Sequence, residues 1–182
     1  MPALTINIIH NVISRYPIKL NFNTFLETGT FHGLTIFNME SFFTKLHTIE
    51  LKKEFYENTR NKYKGNKISF YHGDSSKLVA EIVKNITNPT IFWLDGHYSS
   101  GNTAKGSKDV PLIEEIKGIY NNFKCSGILI IDDFRLFGSN QNEDWSNITL
   151  GNVLDTIGDR MINYYHLPSS LHPMDRLIIN IK

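Results

Sequence analysis

A single cysteine, Cys125, stands in the 182 residues. That excludes an intrachain disulfide and a zinc site built from several thiolates. It fits a reducing compartment, and the chain is expected to be cytoplasmic. No run approaches the roughly 20 apolar residues that span a bilayer. The opening MPALTINIIHNVISRYP lacks a basic start, a long apolar stretch and a small-residue cleavage site, so no signal peptide is expected. Charge of one sign is also missing: the net charge is +1. That balance removes the broad electrostatic grip used on nucleic acid or an anionic membrane. There is no NPPY-type motif for a flipped base, so no nucleic-acid partner is expected. Repeats and low-complexity linkers are absent, and the length fits one domain, 1–182. The longest stretch without periodicity is YSSGNTAKGSKD, 98–109, long enough to be functional.

What the chain does have is alternation. Leu4, Ile8, Ile9, Val12 and Ile13 recur at helical spacing and stop before Pro17, which predicts an N-terminal helix. Apolar runs at 22–27, 46–51, 68–72, 90–95 and 127–132 read as strands. Helical patterns fall between them at 34–45, 53–63 and 76–85, with a further helix capped by Asp109 and running through Ile119. Strands alternating with helices predict an α/β fold, a doubly wound, mostly parallel sheet. The last quarter differs: a helix at about 148–157, then INYYHL and DRLIINIK. These two runs read as a C-terminal antiparallel pair that completes seven strands.

The acids have a pattern of their own. Glu27, Glu50, Asp74, Asp95, Asp132 and Asp133 fall at or just after the carboxyl ends of successive predicted strands. In a doubly wound sheet that edge binds ligands. Any one of them reads equally well as a turn residue or a helix cap; the series does not. In FLETGTFHG, 25–33, Gly29 and Gly33 permit a tight turn and close approach of backbone to a ligand. The full GxGxxG is missing, so a dinucleotide is not favoured. Glu27 would repel a phosphate and suits a cationic ligand or an amine. Glu50, about twenty residues on, is placed to accept both hydroxyls of a ribose. Asp74 with Ser75 can meet an adenine edge.

This combination, ExGxxxG after strand one, an acid after strand two and Asp-Ser after strand three, resembles the class I S-adenosylmethionine-dependent methyltransferases. The terminal antiparallel pair matches their Rossmann-like fold. The resemblance implies that Glu27, Thr28, Gly29, Thr30, Gly33, Glu50, Asp74, Ser75 and Asp95 hold S-adenosylmethionine.

A second constellation joins WLDGHYS, 93–99, to IIDDF, 130–134. Neighbouring strands lie about 4.8 Å apart, so Asp95, Asp132 and Asp133 can converge. Read as acids without a basic partner, they need a divalent cation; oxygen ligands favour Mg2+, with Mn2+ or Ca2+ as alternatives. The arrangement resembles the metal-dependent macrocin-type sugar O-methyltransferases. That resemblance implies a metal held by Asp95, Asp132 and Asp133, with His97 as the catalytic base. Substrate contacts are expected from Tyr98, Lys105 and Arg135. The insertion GNTAKGSKDVP departs from the macrocin enzymes, but the run 94–111 resembles sequences of surface-glycan gene clusters in bacteria and large viruses. The implied partner is a sugar or glycan acceptor, with a homo-oligomer or fusion to glycosyltransferase domains left open. Two alternatives stand beside it: a catechol- or phenol-type O-methyltransferase, and a non-catalytic cofactor-binding module in a glycan-synthesis complex.

Overall fold

The computed structural model describes residues 4–98, 106, 108–141 and 143–182. Five parallel strands come first: β1 (Thr24–Thr28), β2 (Lys45–Glu50), β3 (Ile68–His72), β4 (Thr90–Leu94) and β5 (Gly127–Ile131). The helices are α1 (Ile6–Ser14), α2 (Leu34–Met39), α3 (Lys53–Lys62), α4 (Ser75–Val83), α5 (Leu112–Asn122) and α6 (Leu150–Ile157). The chain ends in β6 (Met161–Leu167) and β7 (Arg176–Ile181). Sheet order is β3-β2-β1-β4-β5-β7-β6, with β7 antiparallel to both its neighbours. The strand order reverses between β1 and β4, the place where open α/β sheets bind ligands at the carboxyl ends of their strands.

Alternation along each strand sends side chains to two apolar layers. Phe25, Ile91, Trp93, Ile128, Ile130 and Ile178 pack with α1 and α2 residues such as Ile9, Val12, Ile36 and Met39. Leu26, Phe92, Leu94, Leu129, Ile131 and Ile179 pack with α4, α5 and α6 through Val79, Ile116, Ile119 and Val153. β1, β4 and β5 are buried along their whole length, as strands covered on both faces are, whereas β3, at the sheet edge, buries only Ile68. Each fully buried Phe or Ile in these layers contributes about 1.5–3 kcal/mol by leaving water.

Three boundaries differ from expectation. α2 ends at Met39 rather than running to 45. The turn after it buries Phe43 against Phe25, ring centroids 5.1 Å apart, and lets β2 begin at Lys45. Asp109 does not cap α5. Pro111 stands at that position, where a missing N–H costs nothing, and Asp109 Oδ2 instead accepts from the Asp144 amide at 3.3 Å. α6 begins at Leu150, capped by the Thr149 hydroxyl. The predicted antiparallel pair is present, but β7 lies inside β6, so β6 forms the edge. Among the described residues no helix is long and apolar enough to cross a membrane.

Candidate active site

The loop after β1 makes its turn against β4. Gly29 has φ +83°, and a Cβ there would stand 2.5 Å from the Asp95 carbonyl oxygen. Only glycine permits both that conformation and that approach. Gly33, at φ +81°, opens α2 beneath the Phe37 ring, which a Cβ would meet at 2.6 Å.

Glu27 sits at the end of β1 and is 1% exposed. Its Oε1 accepts from Thr48 Oγ1 at 2.7 Å, and Thr30 Oγ1 completes the chain by bonding Thr48. Oε2 is buried without a hydrogen-bond partner. Burial pushes this carboxyl up to about 8, against the Thr48 hydrogen bond and with help from Glu50. Glu50 accepts the amides of Phe31 and Lys52, both at 2.8 Å, one on each oxygen. It thereby ties the loops after β1 and β2 together, and each oxygen keeps a second lone pair for a hydroxyl donor. Phe31 has φ 47°, a conformation that costs a bulky residue on the order of 1–3 kcal/mol. Its amide bond to Glu50 and its ring contact with Phe55, 4.7 Å between centroids, hold it there.

Asp74 caps α4: its Oδ1 accepts from the Ser76 amide at 3.0 Å and the Ser76 hydroxyl at 2.6 Å. Ser75, buried beside it, faces a residue that the sequence reading passed over. Glu115 lies on the buried stripe of α5 with Leu112, Ile116 and Ile119, and is 1% exposed. Burial pushes it up to about 7, against the Ser75 and Thr28 hydroxyls, which draw it down. Its Oε1 has no hydrogen-bond partner, and a Cβ at Gly96 would stand 3.0 Å from it. Glu115 thus underlies the loops after β1, β3 and β4. Its raised pKa has a definite sign. The folded state holds the proton between about 4.5 and 7, where the unfolded chain has lost it, so stability falls as pH rises through that window. Glu115→Gln is expected to be more stable than wild type at pH 8, by an unfolding free energy on the order of 3 kcal/mol and with a correspondingly higher Tm, and to match it near pH 4.5. Thermal melts across that range check it.

The second half of the site gathers at β4 and β5. The His97 side chain is 6% exposed and lies edge-on to Trp145, with 5.0 Å between ring centroids. Its Nδ1 is 3.7 Å from Asp95 Oδ1; its Nε2 is 3.4 Å from Asp133 Oδ2 and 3.9 Å from Glu143 Oε2. Trp145 Nε1 donates to that same Glu143 oxygen at 3.1 Å, fixing it. Burial lowers the His97 pKa, while Asp133 and Glu143 pull it back up. Asp95 lies well above the usual carboxylate range, first through burial and then through Asp132, Asp133 and Glu27. Asp95, His97 and Asp133 each bring one ligand atom within 4.8 Å of the others, as do Asp132, Asp133 and Asp175.

The expectation that the three aspartates have no basic partner is wrong. Arg176 Nε lies 3.4 Å from Asp132 Oδ1, and Arg135 Nη1 bonds Asp133 Oδ1 and both oxygens of Asp175. Burial and Asp133 still push Asp132 up to about 6, against Arg176. Arg135 is therefore engaged inside the acid cluster rather than held out toward a substrate. Asp95 and Asp133 remain suited to a cation: Asp95 Oδ1 and Asp133 Oδ2 are buried oxygens without hydrogen-bond partners. Asp132 Oδ1 is likewise buried without a hydrogen bond, but it has the Arg176 guanidinium at ion-pair distance, 3.4 Å.

The fold brings Glu27, Glu50, Asp95, His97 and Asp133 to one edge, across the β1–β4 reversal. The Thr28 hydroxyl accepts from the Asp95 amide at 3.3 Å and the Thr30 hydroxyl is spent on Thr48, so both brace the loop. Tyr98 donates its amide to the Asp109 carbonyl at 2.8 Å. Lys105 lies outside the described residues.

No family model matches the chain, and no curated protein matches it. Solved structures do match. An rRNA methylase from Streptococcus thermophilus has 12% identity and a TM-score of 0.60, with 100% of this chain and 98% of that one covered. A candidate methyltransferase from Streptococcus mutans, solved in complex with S-adenosylhomocysteine, has 16% identity, TM-score 0.60 and coverage of 100% and 98%. An S-adenosylmethionine-dependent methyltransferase from Clostridium acetobutylicum has 12% identity, TM-score 0.60 and coverage of 96% and 88%. At these identities the likeness is one of fold: a seven-stranded α/β methyltransferase fold, mostly parallel with an antiparallel C-terminal pair.

Proposed function

We propose that the chain is an S-adenosylmethionine-dependent methyltransferase that methylates oxygen, acting on a hydroxyl of a sugar or glycan with the help of a divalent cation. One observation carries the reading. At the strand-order reversal, Glu27 and Glu50 stand at the end of β1 and β2, and Asp95 and Asp133 stand beside them, each with a buried oxygen that has no hydrogen-bond partner and each within reach of His97.

Glu27 Oε2 would receive the amino group of the cofactor, and Glu50 would receive the ribose hydroxyls while keeping its two backbone amides. Gly29 lets the backbone lie close beneath them. Asp74 and Ser75 at the start of α4 would meet the adenine end. Asp95 and Asp133 would hold the cation. Mg2+ is commonly bound through one or two carboxylates with the remaining positions filled by water, so the imidazole is not required as a ligand. When bound, S-adenosylmethionine supplies the electrophilic methyl group, and the cation lowers the pKa of the acceptor hydroxyl. His97 takes the proton of that hydroxyl at Nδ1, on the Asp95 side. Asp133 and Glu143, facing Nε2, stabilise the imidazolium that forms. Burial keeps the imidazole neutral and ready at neutral pH.

The test is transfer of labelled methyl from S-adenosylmethionine to a panel of deoxysugar and glycan acceptors. Label is expected to move in Mg2+ and to fall to background in EDTA. Transfer to catechols alone would move the acceptor class. Transfer untouched by EDTA would remove the cation.

A further inference from the structure

The antiparallel register of β5 and β7 pairs Ile131 with Leu177. Continued outward past the strand ends, it sets Asp132 against Arg176 and Asp133 against Asp175. The first pair is complementary, with 3.4 Å between Oδ1 and Nε. The second is two acids face to face, both about 1% exposed. Arg135 resolves that conflict. Its Nη1 reaches Asp175 Oδ1 at 2.8 Å and Oδ2 at 2.7 Å, and it bonds Asp133 Oδ1 as well.

Asp175 is itself fixed from several sides. Its Oδ2 accepts from Ser169 Oγ and its backbone carbonyl accepts from the Phe134 amide at 2.8 Å. Asp133 has φ 60°, an uncommon conformation for a non-glycine residue, at the start of the turn Phe134–Leu136. So one oxygen of Asp133 is held by Arg135 and the other is left toward His97 Nε2 at 3.4 Å.

We infer that Asp175 is a positioning residue of the proposed cation site: by sharing Arg135 it keeps the guanidinium on Asp133 Oδ1 alone and leaves Oδ2 to the site. This rests on the reading of Asp95 and Asp133 as cation ligands. Without the Asp175 charge, Arg135 has one carboxylate to satisfy its fork instead of two. It then turns onto both oxygens of Asp133, in the bidentate geometry that guanidinium and carboxylate favour. The ligand oxygen is withdrawn, and the local negative charge falls by one. The C-terminal strand pair thereby does more than close the sheet.

The test compares wild type with Asp175→Asn by three measurements. Mn2+ affinity, titrated by electron paramagnetic resonance, is expected to fall about ten- to a hundredfold, the usual range for residues that support a metal ligand. S-adenosylhomocysteine affinity is expected to hold. Crystal structures are expected to show Asp133 turned toward Arg135 and away from His97. Unchanged Mn2+ affinity with Asp133 in place overturns the inference. So does a joint fall of both affinities with Tm, which marks Asp175 as a merely structural tie. If wild type binds S-adenosylhomocysteine but no Mn2+, the cation proposal fails, and the orientation of Asp133 still decides whether Asp175 positions it. Should the Asn variant not fold, Asp175→Glu is read instead: the displaced carboxylate is expected to turn Asp133 the same way, with a smaller loss of Mn2+ affinity.

Discussion

Replacing Glu27 by Gln is expected to weaken S-adenosylhomocysteine binding by roughly 30- to 4000-fold. The reason is the mismatch between where this carboxyl lies and what it bonds. It is fully enclosed, one oxygen has a threonine partner, and the other has none. Removing one member of a buried charge pair costs about 2–5 kcal/mol, which gives that range in Kd. The free protein should respond in the opposite direction. Burial holds its carboxyl up at about 8, against an ordinary 4.5, so the folded state loses stability as pH rises through that window. Glu27→Gln removes the loss, and its Tm at pH 8.5 should exceed that of wild type. Weaker binding with higher stability cannot come from misfolding. Affinity carries a third sign. A ligand ammonium prefers the ionised carboxylate, so wild-type affinity rises from pH 6 toward 8 while the Gln variant stays flat. Calorimetric titrations at three pH values check both. A Gln variant that binds like wild type would make Glu27 a strand-end tie and nothing more.

Replacing His97 by Gln is expected to lower turnover by about 10²–10⁴, the usual range for a proton-transfer residue, with Mn2+ and S-adenosylhomocysteine affinities kept. Burial shifts the histidine pKa down from 6.5, so the acid limb of the wild-type pH profile should lie below that value and vanish in the variant. Rate and affinity measurements on the same preparation separate two roles. If turnover and Mn2+ affinity fall together, His97 is a ligand and the proton goes elsewhere. If turnover survives, Asp95 or Glu143 must be examined as the acceptor.

Much of this was readable along the chain because the governing rules are local. Strand runs ending in an acid located Glu27, Glu50, Asp95 and the Asp132–Asp133 pair, and parallel strand spacing was enough to bring them to one edge. Gly29 was readable because a turn between a buried strand and a helix needs such a residue. The partners of the acids were not readable, since they depend on register between distant segments. Arg176 reaches Asp132 only because β7 inserts antiparallel beside β5. Arg135 lies two residues from Asp133, but sequence does not say that its side chain folds back to share Asp175. Glu115 had a signal that went unused: a glutamate on the same helical face as Leu112, Ile116 and Ile119 is a carboxylate in an apolar stripe, and that placement demands a reason. The α2 boundary failed for a different cause. Ile36, Met39 and Phe43 keep helical spacing across the break, so periodicity could not mark the point where Phe43 leaves the helix for the core.

Calorimetric titration of S-adenosylhomocysteine into the wild-type protein, in Mg2+ and again in EDTA, tests the central claim most directly. One-site binding in the micromolar range is expected under both conditions, because the cation serves the acceptor rather than the cofactor. No heat and no shift in Tm under either condition would contradict a methyltransferase, and would leave Glu27 and Glu50 at the edge of a sheet that binds something else.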